Sequence, residues 1–143
     1  MTLEIILATK GRDVHTIEPT ATLEAAARVL TEKAIGALVV LGPDRRVIGI
    51  LSERDIVRAL AARGAGVLAQ PLSQVMTRKV VTCGLSETVG GIMERMTTGK
   101  FRHVPVVEQG ELVGIVSIGD VVKHRLMEME RESAALRDYI QTA

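Results

Sequence analysis

Two stretches decide the fold: Gly49-Ile50-Leu51-Ser52-Glu53-Arg54-Asp55-Ile56-Val57 and Gly114-Ile115-Val116-Ser117-Ile118-Gly119-Asp120-Val121-Val122. Each runs from an apolar strand pattern into a serine set three residues ahead of an aspartate, and then into apolar helix spacing. Ser-x-x-acid before such a run is a capping-box pattern, in which hydroxyl and carboxylate satisfy loose backbone donors at a helix start. The surroundings repeat too. Val14-His15-Thr16-Ile17 aligns with Val80-Val81-Thr82-Cys83, Thr22-Leu23 with Thr88-Val89, and Leu38-Val39-Val40-Leu41 with Val104-Pro105-Val106-Val107. The spacing is 66 residues and falls to 65 after a loop that is one residue longer in the first copy. So long a period, used only twice, reads as a duplicated half-domain and not as a solenoid.

Each copy has the same coarse order. An extended piece (Val14–Glu18; Val80–Cys83) precedes a helix entered at Thr22 or Ser86. Leu23, Ala26, Ala27 and Leu30 share one helical face in the first copy, and Val89, Ile92, Met93 and Met96 do so in the second. Gly90-Gly91 weakens the second of these helices by about 1 kcal/mol per glycine relative to alanine. Two strands joined by a turn follow: Ala37–Leu41 with Val47–Leu51, and His103–Val107 with Leu112–Val116. A further helix opens at Ser52 or Ser117. The expected class is α/β (α+β), with β-α-β-β-α occurring twice. Ala37–Leu41 is apolar throughout, as in strands covered on both faces. A unit of about 60 residues buries only about 60% of its surface alone. The halves are therefore expected to pack sheet to sheet about a pseudo-two-fold axis. Expected boundaries are residues 5–63 for the first repeat, 64–79 for a connection with a short helix, 80–125 for the second repeat and 126–143 for a helical extension.

Composition narrows the function classes. In 143 residues, 18 Lys+Arg against 17 Asp+Glu leave a net charge of +1, which argues against a surface built to grip a nucleic-acid backbone. One Phe, one Tyr and no Trp supply no base-stacking platform. The single cysteine, Cys83, excludes an internal disulfide framework and a Cys-rich zinc site, and it reads as a small buried apolar residue. No apolar run reaches the roughly 20 residues of a membrane span. Met1–Gly11 carries Glu4 within its apolar stretch and lacks a basic leader, so a cytoplasmic setting is expected. His15, His103 and His124 lack metal-ligand spacing, and no catalytic triad or carboxylate pair is evident.

The informative chemistry lies in the repeated motif. A strand ending at a helix-opening serine presents backbone N–H groups and the positive end of a dipole, where phosphate could sit. A carboxylate one turn in could accept hydrogen bonds from a ribose diol. Gly49 and Gly114 would let another backbone or a ligand approach closely. A cap and a binding role are compatible, because a cap can face a cleft.

On these residues the chain resembles a tandem pair of cystathionine β-synthase (CBS) domains. The resemblance rests on the two Gly-Ile-[Leu/Val]-Ser-x-x-Asp segments and on Arg102-His103-Val104-Pro105-Val106-Val107, and it covers roughly residues 5–125. It implies a sensor that binds adenosine-containing ligands (AMP first, with ADP, ATP, NAD(H) and S-adenosylmethionine as alternatives) in two clefts between the copies. No obligatory cofactor is implied. It also implies a homodimer and a separate effector protein, with neither nucleic acid nor membrane as partner. By that resemblance Asp55 and Asp120 hold ribose hydroxyls, and Ser52 and Ser117 lie near phosphate or ribose. Thr16 and Thr82 meet the adenine edge, while Leu38 and Val104-Pro105 sandwich the ring. Arg102-His103 stands where phosphate binds. Its first-copy counterpart, Gly36-Ala37, carries no charge, and Arg54 is the candidate substitute, so the two sites are expected to be unequal. The competing readings are a structural or protein-interaction homodimer with vestigial clefts and, last, an enzyme acting on a nucleotide.

The tail differs between the copies. The helix opening near Ser117 can run through Gln141, since no Gly or Pro follows Gly119. Val122, Leu126, Met129, Ser133, Leu136 and Ile140 alternate steps of four and three, a heptad seam expected to face a partner.

Overall fold

Apolar residues separate into two cores, one for each half of the chain. The computed structural model describes residues 1–142. In chain order the elements are α1 (Leu3–Lys10), β1 (Thr16–Ile17), α2 (Leu23–Lys33), β2 (Ala37–Leu41), β3 (Val47–Ser52) and α3 (Glu53–Arg63). Two short 3₁₀ turns at Ala65–Ala69 and Leu72–Gln74 lead into the second half. That half comprises α4 (Val89–Gly99), β4 (His103–Glu108), β5 (Glu111–Ser117) and α5 (Ile118–Thr142). The architecture is mixed α/β with a long C-terminal helix.

In the first half, β1 pairs parallel with β2, and β2 pairs antiparallel with β3, placing Val39 opposite Ile50. In the second half, β4 and β5 form a two-stranded antiparallel sheet. The expected strand at Val80–Cys83 is reduced there to a single bridge, Cys83 to Val106. Its cause is Pro105. In the first half the amide of Val39 donates to His15 O at 3.3 Å; the matching position in β4 is a proline, which has no N–H to give. The hairpin turn Gln109-Gly110 has φ of 51° and 80°, the doubly positive geometry of a tight two-residue connection.

Helix starts follow the side chains that can cap them. The Thr22 hydroxyl accepts from the Ala25 amide at 3.1 Å, and Thr88 accepts from Gly91 at 3.0 Å. The second helix thus opens at Thr88 and not at Ser86, because Glu87 is used to close the preceding turn, its carboxylate accepting from the Gly84 amide at 2.6 Å.

The lead-in segments change places. Leu3, Ile6 and Leu7 of α1 sit among Cys83, Val89, Ile92, Met96, Val104 and Val116 of the second half. Leu72 and Met76, from the segment leading into the second half, sit among Leu23, Leu38, Val40 and Leu51 of the first. By chain order residues 5–10 fall with the first repeat; by packing they belong to the second core. Each exchange is seated on a motif glycine. A Cβ on Gly114 would come within 2.6 Å of Leu7 Cδ1, and one on Gly49 within 2.6 Å of Met76 Sδ.

Candidate functional site

The two capping motifs form as their spacing requires. Ser52 N–H donates to Asp55 Oδ2 at 2.9 Å, and the Asp55 amide donates to Ser52 Oγ at 3.3 Å. Ser117 N–H donates to Asp120 Oδ2 at 2.9 Å, and the Asp120 amide to Ser117 Oγ at 3.2 Å. The next amides match as well, with Glu53 N–H bound to Gly36 O at 3.1 Å and Ile118 N–H to Arg102 O at 2.8 Å. Of the first three amides of α3, only that of Arg54 has no hydrogen-bond partner among the described residues. An anion at this helix end would therefore meet one free backbone donor, and side chains must supply the rest.

They do so on one side of the molecule. A cleft of about 580 Å³ is lined by Ser52, Arg54 and Asp55 from the first half and by Lys79, Val81, Phe101, Arg102 and His103 from the second. Arg58, Thr77 and Lys100 complete its rim. Among the described residues, Arg54, Arg58, Lys79, Lys100 and Arg102 take part in no ion pair, so five unpaired cations face two acidic neighbours, Glu53 and Asp55. Among the described residues Asp55 itself meets only neutral donors: the Ser52 amide, Ser52 Oγ at 3.1 Å and, more distantly, Thr77 Oγ1 at 3.4 Å. His103 crosses between the halves; a Cβ on Gly36 would lie 3.2 Å from its ring. Burial holds the His103 imidazole below its ordinary pKa, with Glu53 pulling the other way and Lys10 assisting burial.

The corresponding position in the other half is filled from within. Lys10 Nζ, at the end of α1, donates to Asp120 Oδ2 at 2.7 Å and to Ile115 O at 3.0 Å. Where Asp55 has the Thr77 hydroxyl, Asp120 has an ammonium ion. Burial works against the charge of Asp120, but Lys10 and the Ser117 amide outweigh it and hold the carboxyl below its usual range.

Five of the sequence candidates therefore line one cleft: Ser52, Arg54, Asp55, Arg102 and His103. Ser117 and Asp120 sit at the Lys10 contact instead. Leu38 and Val104 are fully buried within the first and second cores, and Pro105 is buried beside Val104. Thr16 and Thr82 are exposed and outside the cleft lining. Thr77, Lys79, Lys100, Phe101 and Arg58 join the site unannounced by the sequence pattern. Only Phe101, the sole phenylalanine and adjacent to Arg102-His103, carried a signal. Gly99 makes room for that ring, since a Cβ there would collide with it.

Cys83 lies in the second core with its thiol pushed up to about 12, chiefly by burial and next by the charge of Glu87. Among the described residues no cluster of His, Cys, Asp and Glu could hold a metal ion, and no helix is long and apolar enough to cross a membrane.

Comparison with known proteins gives one consistent result. The CBS-domain family model matches residues 7–62 and again 72–126. The crystal structure of the CBS-domain-containing protein ATU1752 from Agrobacterium tumefaciens superposes with a TM-score of 0.84 at 49% identity, over 87% of this chain and 92% of that one. The CBS domain pair of protein MJ0100, crystallised with 5′-methylthioadenosine and S-adenosyl-L-methionine, superposes with a TM-score of 0.78 at 26% identity, over 91% of this chain and 98% of that one. The mitochondrial CBS domain-containing protein CBSX3 of Arabidopsis thaliana is 34% identical over 124 residues, covering 84% of this chain but 60% of its own length. The chain spans only 21% of the longer plant relative CBSCBSPB5.

Proposed function

Because the chain belongs to the CBS-domain family and carries a tandem pair of its domains, we propose that it is a regulatory module that binds an adenosine phosphate in the Asp55 cleft. The observation that carries this reading is the pairing of an un-neutralised carboxylate with five unpaired cations around about 580 Å³ of open space. Asp55 accepts the ribose diol. Lys79, Lys100 and Arg102 face the phosphate, with Arg54 contributing from the helix start. The cationic lining favours AMP, ADP or ATP, with NAD(H) next, over S-adenosylmethionine, which carries its own positive charge. The MJ0100 complex supports an adenosine-type ligand for this architecture.

A ligand so placed touches both halves at once. It shifts their relative arrangement only to the extent that it binds one arrangement more tightly, and the change would be read by a separate effector protein. The reading is non-catalytic, in keeping with the inert Cys83 thiol. The ligand is a signal and not a resident cofactor. The closed contact at Asp120 favours a second reading, an interaction module with no physiological ligand.

Thermal shift with AMP, ATP, NADH and S-adenosylmethionine separates the two. A ligand at 100 times its Kd stabilises by about 2.7 kcal/mol. The proposal expects the largest shift from an adenosine phosphate, lost in Asp55→Ala and in Arg102→Ala but kept in Asp120→Ala. No shift with any of the four leaves the interaction module.

A further inference from the structure

Residues 131–142, the distal part of α5, are exposed throughout, yet the helix carries an apolar edge interrupted at Ser133. Leu126 is 61% exposed, Met129 49%, Leu136 60% and Ile140 64%. With Leu126, Ser133 and Ile140 taken as a positions and Met129 and Leu136 as d positions, the edge is a two-heptad seam.

We infer that this edge is the contact face for a second copy of the same helix, parallel and in register. The flanking charges suit a second copy, and the polar Ser133 sets its direction. Position g holds Arg125 and Glu132, and position e holds Glu130 and Arg137. In a parallel pair each g residue meets the e residue five places further along the other helix. Arg125 then meets Glu130 of the second copy, and Glu132 meets its Arg137. Both contacts are attractive and both occur twice by symmetry. Antiparallel registers that set a against d leave Ser133 facing Val122, Met129 or Leu136, and only the parallel, in-register pair sets it against its own copy. Ser133, the polar a position, fixes the register at some cost in stability. Arg125 meanwhile bonds Glu128 of its own helix, so it must exchange that partner.

Single cysteines placed at Met129 and at Leu136 in the full-length chain test the arrangement under mild oxidation. The unmodified chain, whose only thiol is the buried Cys83, is the blank. The inference expects Met129→Cys and Leu136→Cys each to link to itself in more than half of the protein, and Arg131→Cys, on the outer f face, to link at least tenfold more slowly. In the Leu136→Cys chain, Glu132→Arg should slow linking several-fold, and adding Arg137→Glu should restore it. Equal rates at Leu136 and Arg131, or linking indifferent to the charge exchange, overturn it. None of these results touches the ligand reading, because no nucleotide is present.

Discussion

Asp55 and Asp120 occupy matching places in the two repeats and form matching capping boxes, yet one neighbour sets them apart. Lys10 and the Ser117 amide depress the folded pKa of Asp120, whereas an unfolded aspartate titrates near about 3.9. The unfolded chain therefore takes up this proton first as pH falls. The stabilisation is complete above about pH 4 and is lost as pH drops through the lower folded value. Acid denaturation should begin with release of α1, seen as early loss of amide protection over Leu3–Lys10. Lys10→Met should remove that early step. His103 has the same sign with a different window. Its folded pKa lies below the ordinary value of about 6.5, so its contribution declines as pH falls below about 6.5 toward the folded value. Protonation there adds positive charge to the cleft only below about pH 6.5, where the AMP phosphate itself loses charge. AMP affinity measured by calorimetry should therefore fall less steeply below that pH in the native chain than in His103→Gln. Gly114 makes a third prediction at this scale. A Cβ would strike the buried Leu7 side chain at 2.6 Å, so Gly114→Ala should cost about 1–3 kcal/mol in urea unfolding.

Among the elements, those with strong periodicity or a committed cap were legible in the sequence. The strands Ala37–Leu41 and His103–Glu108, the Ser52 and Ser117 helix starts and the length of α5 all follow from local pattern. Other elements were decided by a remote residue. A third strand in the second half fails because of one missing N–H at Pro105, more than twenty residues away from the segment it would have paired. The α1 helix left no stripe to read: Leu3, Ile6 and Leu7 are buried while Ile5 between them is 44% exposed, and apolar residues surround the helix. The cleft was half legible for a related reason. The motif aspartate and Arg102-His103 carry a pattern, whereas Lys79, Lys100 and Arg58 are ordinary surface cations until the fold brings them together. At α4 the two adjacent glycines differ in the space around them. A Cβ on Gly90 meets nothing nearer than Arg125 Nε at 3.9 Å, while one on Gly91 comes within 2.8 Å of the capping Thr88 hydroxyl. Gly90→Ala should raise stability by about 0.5–1 kcal/mol, and Gly91→Ala should gain less or lose. Paired urea titrations would read the difference.

At the scale of the whole molecule, neither half can complete its core from its own continuous segment. Leu3, Ile6 and Leu7 are essentially inaccessible to solvent, and burying each is worth roughly 1.5–3 kcal/mol. A fragment comprising residues 64–143 should therefore be unfolded or molten by circular dichroism and near-ultraviolet probes. A synthetic peptide of residues 1–13 added to it should restore protection around Val89, Ile92 and Val116. The same crossing has an evolutionary corollary. A lone ancestral unit could have sealed its interior only around the leading stretch of a neighbouring molecule, as an obligate pair. Fusion end to end replaces that bimolecular encounter with an effective concentration set by a short tether, so that folding ceases to depend on how many copies are present.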